Sequence, residues 1–206
     1  PDIKGICFVG STPVGRDVIY KRCGETGKRV ISQCGAKNFA VVMPDADIPK
    51  TIATCMTSFF GNAGQRCLAL SVGITVGEAK EPFRKRFSEA TQARKVGYGL
   101  EEGVETGAVI SAESKARIEK LIGVAEAEGA SVSVDGRGQK VPGYEQGSYM
   151  FPTLLDHVPP QGEIAKTEIF GPVFSLMHVD TLEEGIAMVN DRAFGNMACI
   201  FTASGA

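Results

Sequence analysis

Two histidines in 206 residues leave little room for imidazole chemistry. They stand at positions 157 and 178, each in a strand-like stretch with apolar neighbours, so a cysteine-histidine hydrolase has no well-placed base and both read as structural. The six cysteines, at 7, 23, 34, 55, 67 and 199, form no CxxC pair and no cluster with histidine, which indicates neither a zinc site nor a redox dithiol. Charge of one sign is not in excess: 22 Lys and Arg face 24 Asp and Glu. The densest basic cluster, Arg84, Lys85 and Arg86, is interleaved with Glu78, Glu81 and Glu89, the pattern of a solvated helix face rather than of a nucleic-acid surface. No apolar run approaches the roughly 20 residues that cross a bilayer, and the opening PDIKGICFVG lacks a signal-peptide pattern. A soluble intracellular protein is expected, with no nucleic-acid and no membrane partner.

What is present is an ordinary globular composition, 43% hydrophobic and 22% charged. The length suits one large domain, or one domain plus part of another. A strand at Ile6 to Val9, the loop GSTPVG, a helix from about Pro13 to Cys23 and a strand at Arg29 to Ser32 make one βαβ unit. FAVVM (39 to 43) follows as a strand, with Asp45 and Asp47 placed to cap the next helix. Ile48, Ile52, Cys55, Met56, Phe59 and Phe60 then recur at the spacing of one buried helical face. LSVGITV reads as a strand, EPFRKRFSEATQAR as a helix, and Ser114 to Glu128 as another helix stopped by Gly129. Strands are expected near SVSVDG and at Thr153 to Val158, Val173 to Val179 and Ala198 to Thr202, and Thr181 with Glu184 forms a capping box. Such alternation predicts an α/β fold with a largely parallel twisted sheet flanked by helices. A dinucleotide fold needs two βαβαβ halves, and only one remnant fits before residue 36, so the chain reads as a piece of a larger polypeptide.

Three stretches carry candidate chemistry. In FFGNAGQRCLALS (59 to 71), Cys67 stands just past two glycines, where the helix gives out, beside Arg66. A half-buried structural thiol is one reading; the other is a nucleophile, since an adjacent cation favours the thiolate and a thiolate attacks carbonyl carbon. Arg66 is then suited to a substrate carboxylate, which its planar fork matches. The second stretch, GSTPVG at 10 to 15, follows a strand and opens a helix with Ser11 or Thr12 as cap and Pro13 in the first turn. It is either a plain cap or an anion site formed by backbone N-H groups, and it matches neither GxGxxG nor a Walker A motif. In the third, KTEIFGPV, the rigid turn after Glu168 can aim that carboxylate at a ligand hydroxyl.

Together FVGSTPVG (8 to 15), FGNAGQRC (60 to 67) and TEIFGPV (167 to 173) resemble, in order and spacing, the cofactor loop, cysteine signature and EIFGP motif of aldehyde dehydrogenases. The resemblance covers essentially all 206 residues. It implies that Cys67 attacks an aldehyde, that hydride passes to NAD, and that a thioacyl-enzyme remains, with the Cys67 N-H as an oxyanion donor. It also implies that Gly10, Ser11 and Gly15 line the cofactor phosphates, that Glu168 binds the nicotinamide ribose and that Phe170 packs near the nicotinamide. Residues 1-36 would be the end of a Rossmann-type cofactor domain and 37-206 the thiol domain.

In hydrolytic members the segment matching QCGAK (33 to 37) opens with a glutamate that activates water; here it opens with Gln33, which cannot accept the proton. A thiol ionises unaided near neutrality, with a pKa of about 8.5, so the missing base points to coenzyme A as acyl acceptor. GSTPVG, GAKNFAVVMPDAD, GQRCLALS and FGNMACIFTASGA look most like the acylating methylmalonate-semialdehyde dehydrogenase branch. That branch converts methylmalonate or malonate semialdehyde into propanoyl-CoA or acetyl-CoA with loss of CO2. Homo-oligomerisation follows by the same resemblance, as does a cytoplasmic location, mitochondrial in a eukaryote. Two alternatives remain at this stage: a hydrolytic aldehyde dehydrogenase that releases a free acid, and a non-catalytic protein that keeps the fold. Family members also draw a second oxyanion donor, a ribose-binding lysine and oligomer contacts from parts not represented here, so these residues are not expected to be competent alone.

Overall fold

In the computed structural model, which describes residues 2-205, the chain divides into two units, Pro1–Ala36 and Lys37–Ala206. In the first, β1 (Gly5–Val9) and β2 (Arg29–Gln33) pair in parallel, from Gly5 opposite Arg29 to Val9 opposite Gln33. The crossover is a π-helical segment, Val14–Tyr20, continued by α1 (Lys21–Glu25). The expected helix is there, with its first turns wound wider than α. Gly15 is buried, and a Cβ on it would collide with Cys34 Sγ, so only glycine lets the helix start lie this close to the chain leaving β2.

The second unit is built on β3 (Asn38–Val42), β4 (Leu70–Val76), β5 (Ser131–Val134), β6 (Thr153–Asp156), β7 (Val173–Val179) and β8 (Ala198–Phe201). Their order across the sheet is β5-β6-β7-β4-β3-β8, and only the β5-β6 pair is antiparallel. The central strands are apolar on both faces, as a parallel sheet covered on both sides requires. Their two-residue period sorts the core into halves. Ala40, Val42 and Leu70 meet Ile52, Cys55, Phe59 and Phe60 of α2 (Ile48–Phe60) and Phe83 and Phe87 of α3 (Lys80–Ala93). Phe39, Val41, Val72 and Ile74 meet Ile118, Leu121, Ile122 and Ala125 of α4 (Ala112–Ala127). On the α2/α3 side Phe174 joins the aromatics, its ring centroid 5.2 Å from Phe59 and 4.6 Å from Phe87.

Side chains cap three helices, two of them, by Asp47 and by the Thr181-Glu184 pair, as expected from the sequence. Asp47 accepts from the Lys50 N-H at 3.1 Å, Ser111 from Ser114, and Thr181 with Glu184 closes the capping box of α6 (Leu182–Asn190). Asp45, also expected as a cap, is not one. It accepts from Thr202 Oγ1 at 2.8 Å and from the N-H groups of Ala203 and Ser204, bonds that hold its carboxyl below the usual range and tie the chain after β8 to the chain after β3. The short α5 (Glu163–Lys166) is too brief to show a period, and the strand expected through Val158 stops at Asp156 because His157 turns left-handed at φ 51°.

Candidate active site

Four loops meet at one edge of the second unit's sheet, and each leads into the N-terminal end of a parallel strand: Lys37 before β3, Cys67 before β4, Glu168 and Phe170 before β7, Asn196 before β8. The loop before β4 owes its shape to the break after α2. Asn62, Ala63 and Gly64 are left-handed in succession, with φ 55°, 51° and 72°. Two are not glycine, which costs about 1 kcal/mol each and needs compensation. Gln65 supplies it: its amide donates to Asn62 O at 3.2 Å, and its Oε1 accepts from the Ile110 N-H at 2.8 Å. Asn62 Nδ2 in turn donates to Gln65 O at 3.1 Å.

Cys67 emerges from this turn exposed, and its carbonyl is clamped. Asn38 Nδ2 donates to Cys67 O at 2.8 Å and to Ala69 O at 2.9 Å, while Asn196 Nδ2 donates to Cys67 O at 2.7 Å. The Asn38 Oδ1 accepts from the Met197 N-H at 3.1 Å, so one buried side chain joins the starts of β3, β4 and β8. Two other thiols of this unit are placed otherwise. Burial pushes the Cys55 thiol up to about 12 and Cys199 upward as well, so neither offers a thiolate near neutrality. Asn38→Ala in the full-length protein strips a donor from two carbonyls. It is expected to cost about 2 kcal/mol of stability and to lower kcat more than it raises KM, read by denaturant unfolding and steady-state kinetics. Unchanged kcat would remove Asn38 from the positioning of Cys67.

Arg66 is exposed, and its guanidinium folds back across Gly61 to donate to Thr57 O at 3.4 Å in the last turns of α2. A cation is favourable at that helix end, and meeting a substrate carboxylate requires it to leave that carbonyl.

The loop bearing Glu168 packs directly on the loop bearing Cys67. A Cβ on Gly64 would run into the carbonyl of Gly171, so the two chains approach at glycine distance. Phe170 is left-handed at φ 53° and 38% exposed; Glu168 is half-buried. From beneath, Arg117 donates to Ile169 O. From the strand edge, Lys37, 2% exposed, donates to Ile164 O at 2.8 Å and Thr167 O at 2.9 Å, carbonyls that bracket the start of the motif. Burial pulls the Lys37 ammonium down to about 7, against the opposing pull of the Glu168 charge. Neither Lys37, Asn38 nor Asn196 was singled out from the sequence. A lysine abutting a strand of five apolar-context residues is the one signal that could have marked Lys37.

In the first unit, Gly10 and Ser11 are exposed and the Gly10 N-H donates to Gln33 O at 3.2 Å. Neither Ser11 nor Thr12 caps the helix as expected. The helix start at Pro13 has no side-chain cap, and Thr12 Oγ1 accepts from the Gly35 N-H at 3.1 Å instead. Within that first turn the Gly15 N-H already donates to Ser11 O at 2.9 Å. Gly15 is buried against Cys34 Sγ. Gln33 is exposed at the end of β2.

A buried sheet edge that presents an exposed thiol beside a fixed carboxylate loop defines a thiol-bearing α/β fold, and the aldehyde dehydrogenase family model matches residues 1–206. The chain belongs to the aldehyde dehydrogenase family. Among particular relatives, the acylating, mitochondrial methylmalonate-semialdehyde/malonate-semialdehyde dehydrogenase of Bos taurus is 45% identical over 206 residues, all of this chain and 38% of that protein. Malonate-semialdehyde dehydrogenase of Pseudomonas aeruginosa is 40% identical over the whole chain and 41% of its own length. The crystal structure of methylmalonate-semialdehyde dehydrogenase from Oceanimonas doudoroffii superposes with a TM-score of 0.94 at 39% identity, over 98% of this chain and 41% of that one. A Sinorhizobium meliloti protein solved with NAD gives a TM-score of 0.96 at 36% identity, over all of this chain and 42% of its own. The chain thus spans about two fifths of the length of these relatives.

Proposed function

We propose that the full-length protein oxidises methylmalonate or malonate semialdehyde with NAD and passes the acyl group to coenzyme A, releasing CO2 and propanoyl-CoA or acetyl-CoA. The observation that carries this reading is the exposed Cys67, its carbonyl clamped by Asn38 and Asn196 and its loop seated on the loop of Glu168 and Phe170. In the proposed reaction Cys67 Sγ attacks the aldehyde carbon, and the developing oxyanion meets the Cys67 backbone N-H. Clamping the Cys67 carbonyl restricts the rotation of that residue, so the thiol and the N-H keep one relative orientation.

The residues present fit NAD. In the first unit, taken by itself, the glycine-rich loop with Gly10, Ser11 and Gly15 at an uncapped helix start suits its phosphates; in the second, taken by itself, the half-buried Glu168 suits a ribose hydroxyl pair and the exposed Phe170 ring the edge of the nicotinamide. When bound, NAD supplies the hydride acceptor that turns the Cys67 thiohemiacetal into a thioester. In this reading Pro1–Ala36 is the end of the cofactor domain and Lys37–Ala206 the thiol domain. Gln33 leaves water without a base, and the thiol of coenzyme A takes the acyl group from Cys67. Arg66, released from Thr57 O, pairs with the substrate carboxylate. We also take the assembly to be a homo-oligomer, cytoplasmic in a bacterium and, following the mitochondrial Bos taurus relative, mitochondrial in a eukaryote.

Product analysis tests the reading. With NAD and malonate semialdehyde but no coenzyme A, the full-length protein is expected to give a single stoichiometric burst of NADH; adding coenzyme A starts turnover and acetyl-CoA accumulates. Sustained turnover to free acid without coenzyme A would make the protein a hydrolytic member and require another base.

A further inference from the structure

We propose that Asp156, His157 and His178 form a binding site for a divalent transition-metal cation of zinc's chemistry, at the sheet edge opposite Cys67. Parallel pairing of β6 with β7 and the left-handed turn at His157 bring together side chains 22 residues apart in sequence. One ligand atom from each of the three lies within 4.8 Å of the others. His178 Nε2 is 2.6 Å from Asp156 Oδ1, and His157 Nδ1 is 3.2 Å from Asp156 Oδ2. The two imidazole rings sit 4.8 Å apart, centroid to centroid, at 61°. Two imidazoles and one carboxylate are a common zinc donor set; at about 2.0–2.2 Å from each, a tetrahedral zinc holds its donors about 3.4 Å apart, so binding would part His178 Nε2 from Asp156 Oδ1 and replace their hydrogen bond.

Three further features point to a cation. The Asp156 side chain is only 3% accessible, and a buried carboxylate needs positive charge. The His157 N-H donates to Asp156 Oδ1 at 2.9 Å, and Arg84 Nε, buried and without a hydrogen-bond partner, lies 3.9 Å from Oδ2, an ion pair without a hydrogen bond. His178 is also oriented from behind, with its Nδ1 2.6 Å from Thr75 Oγ1; a cation would displace the proton that Nε2 shares with Asp156 Oδ1, and the ring would then donate through Nδ1-H to the Thr75 hydroxyl. An outer hydrogen bond of this kind is the usual companion of a metal-bound histidine. Finally, the His157 side chain is 52% accessible, which leaves an entry path and a fourth position for solvent. Lys80 is the cation that opposes binding, but it contacts His157 Nε2, the far nitrogen, at 3.1 Å. Its flexible stem can carry the ammonium away.

Thr75 stands near the C-terminal end of β4, whereas Cys67 precedes its first residue, Leu70. At about 3.3 Å per residue the site is roughly 17 Å or more from the thiol, so the metal would act as a clip across β6 and β7 and not on the substrate.

The experiment is metal titration of the chelator-treated full-length protein, with Zn2+ by calorimetry and Co2+ by visible absorption. One equivalent of each is expected, the cobalt giving tetrahedral d-d bands without thiolate charge transfer. His157→Asn, which keeps a residue type suited to the left-handed turn at φ 51°, should weaken binding at least about 100-fold, and Thr75→Val about 10-fold by freeing the His178 ring. Cys67→Ala should leave stoichiometry and spectrum unchanged. The proposal fails if neither ion binds, if His157→Asn binds as before, or if the cobalt spectrum shows a thiolate band that disappears with Cys67.

Discussion

Cys67→Ala in the full-length protein is expected to abolish aldehyde oxidation, lowering kcat by more than about 10⁴-fold while NAD affinity stays within about twofold. The size follows from the role: without the sulfur there is no thiohemiacetal, and the remaining groups only bind and polarise the aldehyde. The fold should tolerate the change, because the side chain is exposed and the loop is held through the Cys67 carbonyl, which alanine keeps. A companion measurement separates a nucleophile from a merely surface thiol. Iodoacetamide should modify Cys67 far faster than Cys55, whose thiol burial pushes up to about 12, and faster than the buried Cys23. Retained turnover in the alanine variant would remove Cys67 from its role as nucleophile, and an alkylation rate no greater than that of the buried thiols would leave a family member that keeps the fold without the chemistry.

Much of this site could be read from residue order, and the part that could not has a common cause. β4 and β7 match their expected bounds because strands buried on both faces announce themselves as unbroken apolar runs. Asp47 and the Thr181-Glu184 box were legible because a cap and its helix are three residues apart. Lys37, in contrast, bonds carbonyls 127 and 130 residues away, and Asn196 reaches Cys67 across 129. Such contacts depend on strand order, which puts β3 between β4 and β8, and no local pattern encodes that. The same holds for the histidines. Apolar neighbours made each look solitary and structural, while the pairing of β6 with β7 set both on one carboxylate. Asp45 shows the converse error: its local position fits a cap, and a distant hydroxyl and two N-H groups outbid the helix.

Lys37→Met is expected to reduce stability by an amount that grows with pH. In the unfolded chain the ammonium keeps its proton to about 10.4. Folded, with burial pulling it down to about 7, Lys37 is largely neutral above that value. Between these two values the unfolded chain binds more protons, so the stability contributed by Lys37 rises with pH, is complete above about 10.4, and is lost as pH falls toward 7. Across pH 7 to 10 the change amounts to roughly 3–4 kcal/mol. Methionine removes that slope. Near pH 7 it also relieves the burial of a charge, which offsets the two carbonyls left without a donor, so the variant and the parent should differ little there; at pH 10 only the loss remains. Urea unfolding of parent and variant at both pH values reads the difference directly, and parallel curves would mean that Lys37 does not titrate in this window. The functional consequence is separable. Ile164 O and Thr167 O anchor the turn that presents Glu168, so the variant should raise KM for NAD about tenfold at pH 7, where its stability is nearly that of the parent. An unchanged KM would make Lys37 a structural lysine alone; a raised one makes it the residue that positions Glu168.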